Sequence, residues 1–176
     1  MTITPEFSRT VKADQVKRMT GEVHIAADAG ERAALMQRFG LLALDRLEAD
    51  FLLSEADGAI LARGRVRATL AQPCIATGEP VAETIDTDFA LRFVQEDDSL
   101  AEGEELELDA QDVDTIGYDG QMIDMGEAVA ETMALAMTPF PRSPDADAAL
   151  REAGVLSEEQ ASPFAALLAL KGKGAD

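Results

Sequence analysis

The sequence predicts an α+β fold, an antiparallel meander of long β-strands packed by one amphipathic helix, with a peripheral C-terminal helical tail. Three observations carry that expectation. Leu47, Ala49, Phe51 and Leu53 alternate with polar residues, Asp57-Gly58 follows, and Ala62, Gly64, Val66, Ala68 and Leu70 then alternate with Arg63, Arg65, Arg67 and Thr69. A period of two puts alternate residues on opposite faces of a sheet, and Asp-Gly between two such runs is a hairpin turn signal. After a compact loop at 73–80, Val81, Ile85, Phe89 and Phe93 point one way and Asp86, Asp88 and Arg92 the other, so a third long strand completes a sheet with one apolar and one polar face. Finally, Met125, Val129, Met133 and Ala136 form one stripe at helical spacing and Asp124, Glu127 and Glu131 another. This predicts an amphipathic helix over 124–137 that lies on the sheet and is ended by Pro139 and Pro141.

The remaining elements follow from local signals. Phe7 to Val16 reads as an extended stretch and Val23-His24-Ile25-Ala26 as a short strand. Asp28 and Glu31 have the spacing of a capping box, in which each side chain accepts from the other's backbone amide, and Gly40 is a suitable stop, so a helix is expected over 29–39. Asp124 and Glu127 repeat that spacing. Gln95 to Gly103 reads as an acidic loop. Leu106 and Leu108, alternating with Glu105, Glu107 and Asp109, read as a short acidic strand, and Tyr118-Asp119-Gly120 as a turn. Beyond Arg142 the chain is poorer in core residues. Helical turns are expected over 145–153 and 157–161. Ser162-Pro163 then opens a small helix whose apolar face is Phe164, Leu167, Leu168 and Leu170, ahead of Lys171. The domain reading is an α+β domain over 1–141 and a partly ordered helical tail over 142–176.

Charge is unevenly spread. The formal net charge is -19, and the stretch from Phe93 to Pro141 holds fourteen acids and no lysine or arginine. Such a field repels phosphate backbones and attracts basic partners, which makes Glu104, Glu105, Glu107 and Asp109 a candidate surface for a basic protein. The competing reading is a solvated acidic face that keeps the protein soluble. No apolar run is long enough to span a bilayer, and the N-terminus lacks the basic start and apolar stretch of a signal peptide. With one cysteine, Cys74, a cytoplasmic monomer without membrane contact is expected.

A search for chemistry returns little. His24 is the lone histidine and sits on a strand with no nucleophile motif nearby; Cys74 has no partner cysteine. Zinc sites want about four thiolate or imidazole ligands. No GxGxxG and no phosphate loop ending in Lys-Ser/Thr occurs. The expectation is therefore no catalytic residue, no metal and no cofactor. Arg63, Arg65 and Arg67 form the one basic stripe, spaced about 7 Å apart on a strand face, comparable to phosphates along a single nucleic-acid strand. They are candidate RNA contacts. The competing reading, favoured here, pairs them with acids on neighbouring strands such as Glu48, Asp50, Asp86 and Asp88.

Three blocks of the chain resemble the YceD family of large ribosomal RNA subunit accumulation proteins. Residues 64–81, running into Pro73-Cys74-Ile75-Ala76-Thr77-Gly78-Glu79-Pro80, are similar to that family's strand and Cys-x-x-Cys loop. Residues 123–131, continuing to Leu135-Ala136-Met137-Thr138-Pro139, are similar to its Ile-Asp-Leu opening, acidic helix and Leu-Ala-x-Pro exit. Ser162-Pro163-Phe164 through Leu167, Leu170 and Lys171 resembles its closing Asn-Pro-Phe-x-x-Leu-x-x-Leu-Lys. The chain departs from the pattern where Thr77 replaces the second cysteine, and residues 143–148 carry no cysteine or histidine. The resemblance implies that Cys74, Thr77, Gly78 and Pro80 form the family's loop, here without metal and held by the Gly78 turn and the Thr77 hydroxyl. It also implies a role in accumulation or processing of large-subunit ribosomal RNA and in ribosome assembly; with no catalytic motif in the chain, a non-enzymatic factor that binds a basic ribosomal protein or assembly factor is expected.

Overall fold

A computed structural model describes residues 5–96 and 114–155. In chain order the elements are β1 (Thr10–Lys12), α1 (Ala13–Val16), β2 (Val23–Ala26), α2 (Ala29–Phe39), β3 (Ala43–Ala56), β4 (Ala59–Pro73), β5 (Pro80–Gln95), β6 (Asp114–Tyr118), β7 (Met122–Asp124), α3 (Met125–Ala136) and α4 (Ala146–Glu152). Among the described residues the strands make a five-stranded sheet in the order β2-β3-β4-β5-β6 and a two-stranded ribbon of β1 and β7. The fold is α+β with a mostly antiparallel sheet. These residues fall into two compact units, one of 5–72, 82–96 and 114–139 and the other of 73–81 and 140–155.

The large unit is built on the β3–β4 hairpin. Ala56 faces Ala59 across a two-residue turn, with Asp57 at φ 52° and Gly58 at φ 73°. Two left-handed residues in succession match the twist of a hairpin, which is why Asp-Gly serves there. The pleat sends Leu47, Ala49, Phe51 and Leu53 of β3 and Ala62, Val66, Ala68 and Leu70 of β4 inward, all buried. Ile85, Phe89, Leu91 and Phe93 of β5 join them. Against this face lies α3, whose Met125, Val129 and Met133 are fully buried; Ala136, placed on the same stripe by periodicity, is exposed because it lies at the helix's last position.

Helix α2 carries the predicted capping box, with Glu31 N donating to Asp28 Oδ1 at 2.9 Å and Asp28 N to Glu31 Oε2 at 2.8 Å. Gly40 closes it in the left-handed conformation at φ 65°. Glu31 also takes both Nη1 and Nη2 of Arg9, at 2.6 and 2.9 Å, and that guanidinium holds the Glu31 carboxyl below its usual range.

The structure differs from the sequence reading in four places. The stretch 7–16 is extended only as far as Lys12; α1 then begins, and Ala13 N donates to Gln121 O. β1 pairs with β7, a partner the sequence reading did not assign, and Asp124 ties this N-terminal segment to the start of α3. Residues 114–118 form a strand that pairs parallel to β5, Leu91 facing Asp114 and Gln95 facing Tyr118. The capping box at Asp124 is open: Asp124 accepts from Gly126 N and Glu127 N, but the Glu127 side chain is taken by Arg38. A bidentate guanidinium contact outweighs one return bond to a backbone amide. The short acidic strand expected at Leu106 and Leu108 lies outside the described residues.

Candidate functional site

The outer face of the sheet is a lattice of alternating charge. β3 supplies Arg46, Glu48 and Asp50, β4 supplies Arg63, Arg65 and Arg67, and β5 supplies Asp86 and Asp88. The register sets Asp50 opposite Arg65 and Glu48 opposite Arg67. Arg67 Nη1 donates to Asp50 Oδ2 at 2.6 Å and lies 3.8 Å from Glu48, while its Nε is 3.7 Å from Asp86. Arg65 Nε donates to Asp86 Oδ1 at 2.5 Å and its Nη1 to Asp88 Oδ1 at 3.1 Å. Arg46 pairs with Glu48. His24 shares Asp50 from β2 at 2.6 Å. Arg67 first, then His24, holds Asp50 below the usual carboxylate range, and Arg65 does the same to Asp86.

Arg65 and Arg67 are thus engaged by the acids of the pairing reading. Arg63 is different: it is exposed and, among the described residues, has no ion-pair partner. It borders an open depression of about 500 Å³ together with Glu22, Asp50, Gly64 and Asp88. Because these pairs face water, each contributes little. Arg67→Ala is expected to cost about 1 kcal/mol, and Arg63→Ala to stay within about 0.5 kcal/mol, when urea unfolding is compared with the parent.

In the small unit the family-motif loop closes on itself. Cys74 N donates to Glu79 O at 2.7 Å and Gly78 N to Cys74 O at 2.8 Å. Gly78 sits at φ 75°, where a side chain would be strained. The Thr77 hydroxyl accepts from Glu79 N at 3.3 Å and lies 3.4 Å from Ser143 Oγ. Ser143 N donates to Cys74 Sγ at 3.3 Å, and Ile75 N to Pro141 O at 2.9 Å. Pro80, at the far end of the loop, opens β5. Threonine and serine hydroxyls therefore tie the loop together beside the thiol. Among the described residues no three His, Cys, Asp or Glu side chains gather as metal ligands. Ser143 was missed as a member of this cluster, although it opens the 143–148 segment that the sequence comparison had singled out.

Cys74 is buried, 3 % exposed. Donation by the Ser143 amide, then by the Thr77 hydroxyl, favours the thiolate and brings its pKa from 9.0 down to about 6. A depressed folded value stabilises the native state fully above the unfolded pKa, and the gain is lost as pH falls from about 9 through about 6. Thiolate ultraviolet absorbance is expected to titrate near pH 6 in the native protein and near 9 after unfolding. A Ser143→Pro variant, lacking the amide donor, is expected to titrate at higher pH. An unmoved midpoint would rule out the Ser143 contact as the cause.

Glu104, Glu105, Glu107 and Asp109, and the C-terminal Pro163, Phe164, Leu167, Leu170 and Lys171, lie outside the described residues. The acidic stretch is bracketed by Glu96, just past β5, and Asp114, the first residue of β6. Within its described part, Asp124 and Glu127 are engaged in the fold, Asp119 accepts from Gln121 N and Met122 N, and Asp114 and Glu131 are exposed.

Among the described residues, His24, Arg65 and Arg67 are engaged by acids of the neighbouring strands and the Cys74 loop is closed by hydrogen bonds, in a charged α+β protein. Residues 62–171, more than half of the chain, match the family model described as Large ribosomal RNA subunit accumulation protein YceD, and the chain belongs to this family. No curated protein and no solved structure matches it. Among the described residues no helix is long and apolar enough to cross a membrane.

Proposed function

We propose that the protein supports accumulation of large-subunit ribosomal RNA, and so ribosome assembly, as a non-enzymatic cytoplasmic monomer that binds a basic ribosomal protein or assembly factor. The observation that carries this reading is the charge separation along the chain. Fourteen acids and no lysine or arginine lie between Phe93 and Pro141, whereas the basic stripe on β4 is largely neutralised by its neighbours. A basic protein awaiting its RNA presents the complementary field. The family description, large ribosomal RNA subunit accumulation, agrees with such a role.

A pull-down from lysate at low and moderate salt, analysed for protein and RNA, tests it. The expected catch is a basic ribosomal protein or assembly factor without RNA, fading as salt rises. Replacing Glu104, Glu105 and Glu107 by Gln and Asp109 by Asn is expected to weaken binding at least about tenfold at low salt. Undiminished binding by that variant would end the reading. Arg63, exposed and without an ion-pair partner among the described residues, favours a second reading, direct RNA contact through Arg63, Arg65 and Arg67. RNA crosslinks surviving protein removal, and lost in Arg63→Ala, would favour it.

A further inference from the structure

We propose that the C-terminal segment 162–171 is a helix that docks in cis on the small unit, its apolar face covering Ile75 and Phe140. The proposal is independent of the basic-partner reading. Among the described residues of the small unit, 73–81 and 140–155, the buried hydrophobic side chains are Cys74 and Ala146. The large ones stand in water: Phe140 is 72 % exposed, Ile75 59 % and Val155 53 %. Ile75 N donates to Pro141 O at 2.9 Å, which sets the loop alongside the residue that follows Phe140. Assemblies of fewer than about 40 residues rarely bury enough surface to hold without a staple, and a single cysteine forms no internal disulfide. An apolar cover over Ile75 and Phe140 supplies what such a unit lacks.

The place where the described chain ends points to its own continuation as that cover. Gly154 N donates to Arg151 O at 3.0 Å and Val155 N to Leu150 O at 2.9 Å, with Gly154 at φ 75°. This left-handed closure turns the chain off the axis of α4. Six residues, 156–161, separate Val155 from Ser162. Such a tether reaches about 20 Å when extended, against roughly 10 Å for the length of α4. Ser162 and Pro163 suit an N-cap and a first helical position. Phe164, Leu167 and Leu168 recur at i, i+3 and i+4, Leu170 flanks them, and no acid occurs in 162–173. Lys171 and Lys173 complement Asp145 and Glu152 of the same unit, which are exposed and have no ion-pair partner among the described residues. A free helix this short is marginal in water, so its order depends on the docking.

Hydrogen exchange of the full chain, resolved amide by amide, tests the docking. Amides of 166–170 are expected to exchange at least about tenfold more slowly than in a free chain. Phe140→Asp and Ile75→Asp, both at positions facing water, are each expected to return them to the free-chain rate while the amides of β3 and β4 keep their protection. Leu167→Asp is expected, in the other direction, to speed exchange of the Ile75 amide at least about tenfold. Free-chain exchange over 166–170 in the parent protein would overturn the proposal. So would protection that neither Phe140→Asp nor Ile75→Asp removes, since the helix would then dock elsewhere. Protection that disappears on dilution, together with a dimer's mass at high concentration, would place the helix on a second copy and overturn the assignment in cis.

Discussion

Gly64→Val is expected to destabilise the protein by about 3 kcal/mol, the upper range for forcing bulk into a packed interior. Gly64 sits on the inward face of β4, opposite Phe51 of β3. A Cβ there would lie 2.2 Å from the Asp50 carbonyl oxygen and 2.5 Å from Phe51 Cβ. Neither neighbour can yield: one is backbone of the central hairpin, and the other belongs to a fully buried ring. For a chain of this size the loss corresponds to a melting temperature lower by roughly 6–12 °C. Gly64→Ala meets the same atoms and is expected to lose somewhat less. A Gly64→Val melt within about 1 °C of the parent would show that the two strands do not approach this closely.

Asp124→Ala is expected to cost about 2–4 kcal/mol, a larger loss than a helix cap alone explains. Its Oδ1 accepts from Arg9 N at 2.7 Å, Gly126 N at 3.0 Å and Glu127 N at 3.3 Å, and Oδ2 from Ser8 Oγ at 2.5 Å. One carboxylate thereby starts α3 and fastens the N-terminal segment to it. Gly126 completes the joint, because a Cβ there would lie 2.5 Å from the Phe7 carbonyl oxygen. Losing the cap costs about 1 kcal/mol, and orphaning the partly buried donors of Ser8 and Arg9 about 1–3 kcal/mol more. Asp124→Asn keeps one acceptor oxygen and is expected to lose less than half as much by urea unfolding. Equal losses from Ala and Asn would mean that charge, and not the cap oxygen, does the fastening.

The long strands and two principal helices were legible because each is governed by its own periodicity and local turn chemistry. Asp57-Gly58 needs only its two left-handed residues, and α2 its capping box and Gly40. What escaped were pairings between distant segments. β6, with Asp114, Thr115, Ile116, Gly117 and Tyr118, has weak alternation, and its parallel place beside β5 depends on a crossover that no local pattern encodes. The β1–β7 ribbon likewise follows from Asp124, which reads in sequence as a helix cap and gives no sign of reaching Ser8 and Arg9. Around the loop, the Thr77 hydroxyl was expected to hold the turn and does so. Ser143 was not anticipated because its role is played by a backbone amide, which any residue type but proline supplies.

The placement of β6 beside β5 also bears on how such a protein changes through descent. Both ends of the acidic stretch, after Gln95 and before Asp114, are pinned to neighbouring strands of one sheet. Changes of length between Gln95 and Asp114 leave those pairings available through descent, whereas Gly64 and Gly126, where an added Cβ would meet backbone, and Asp124, which holds four donors, should stay fixed.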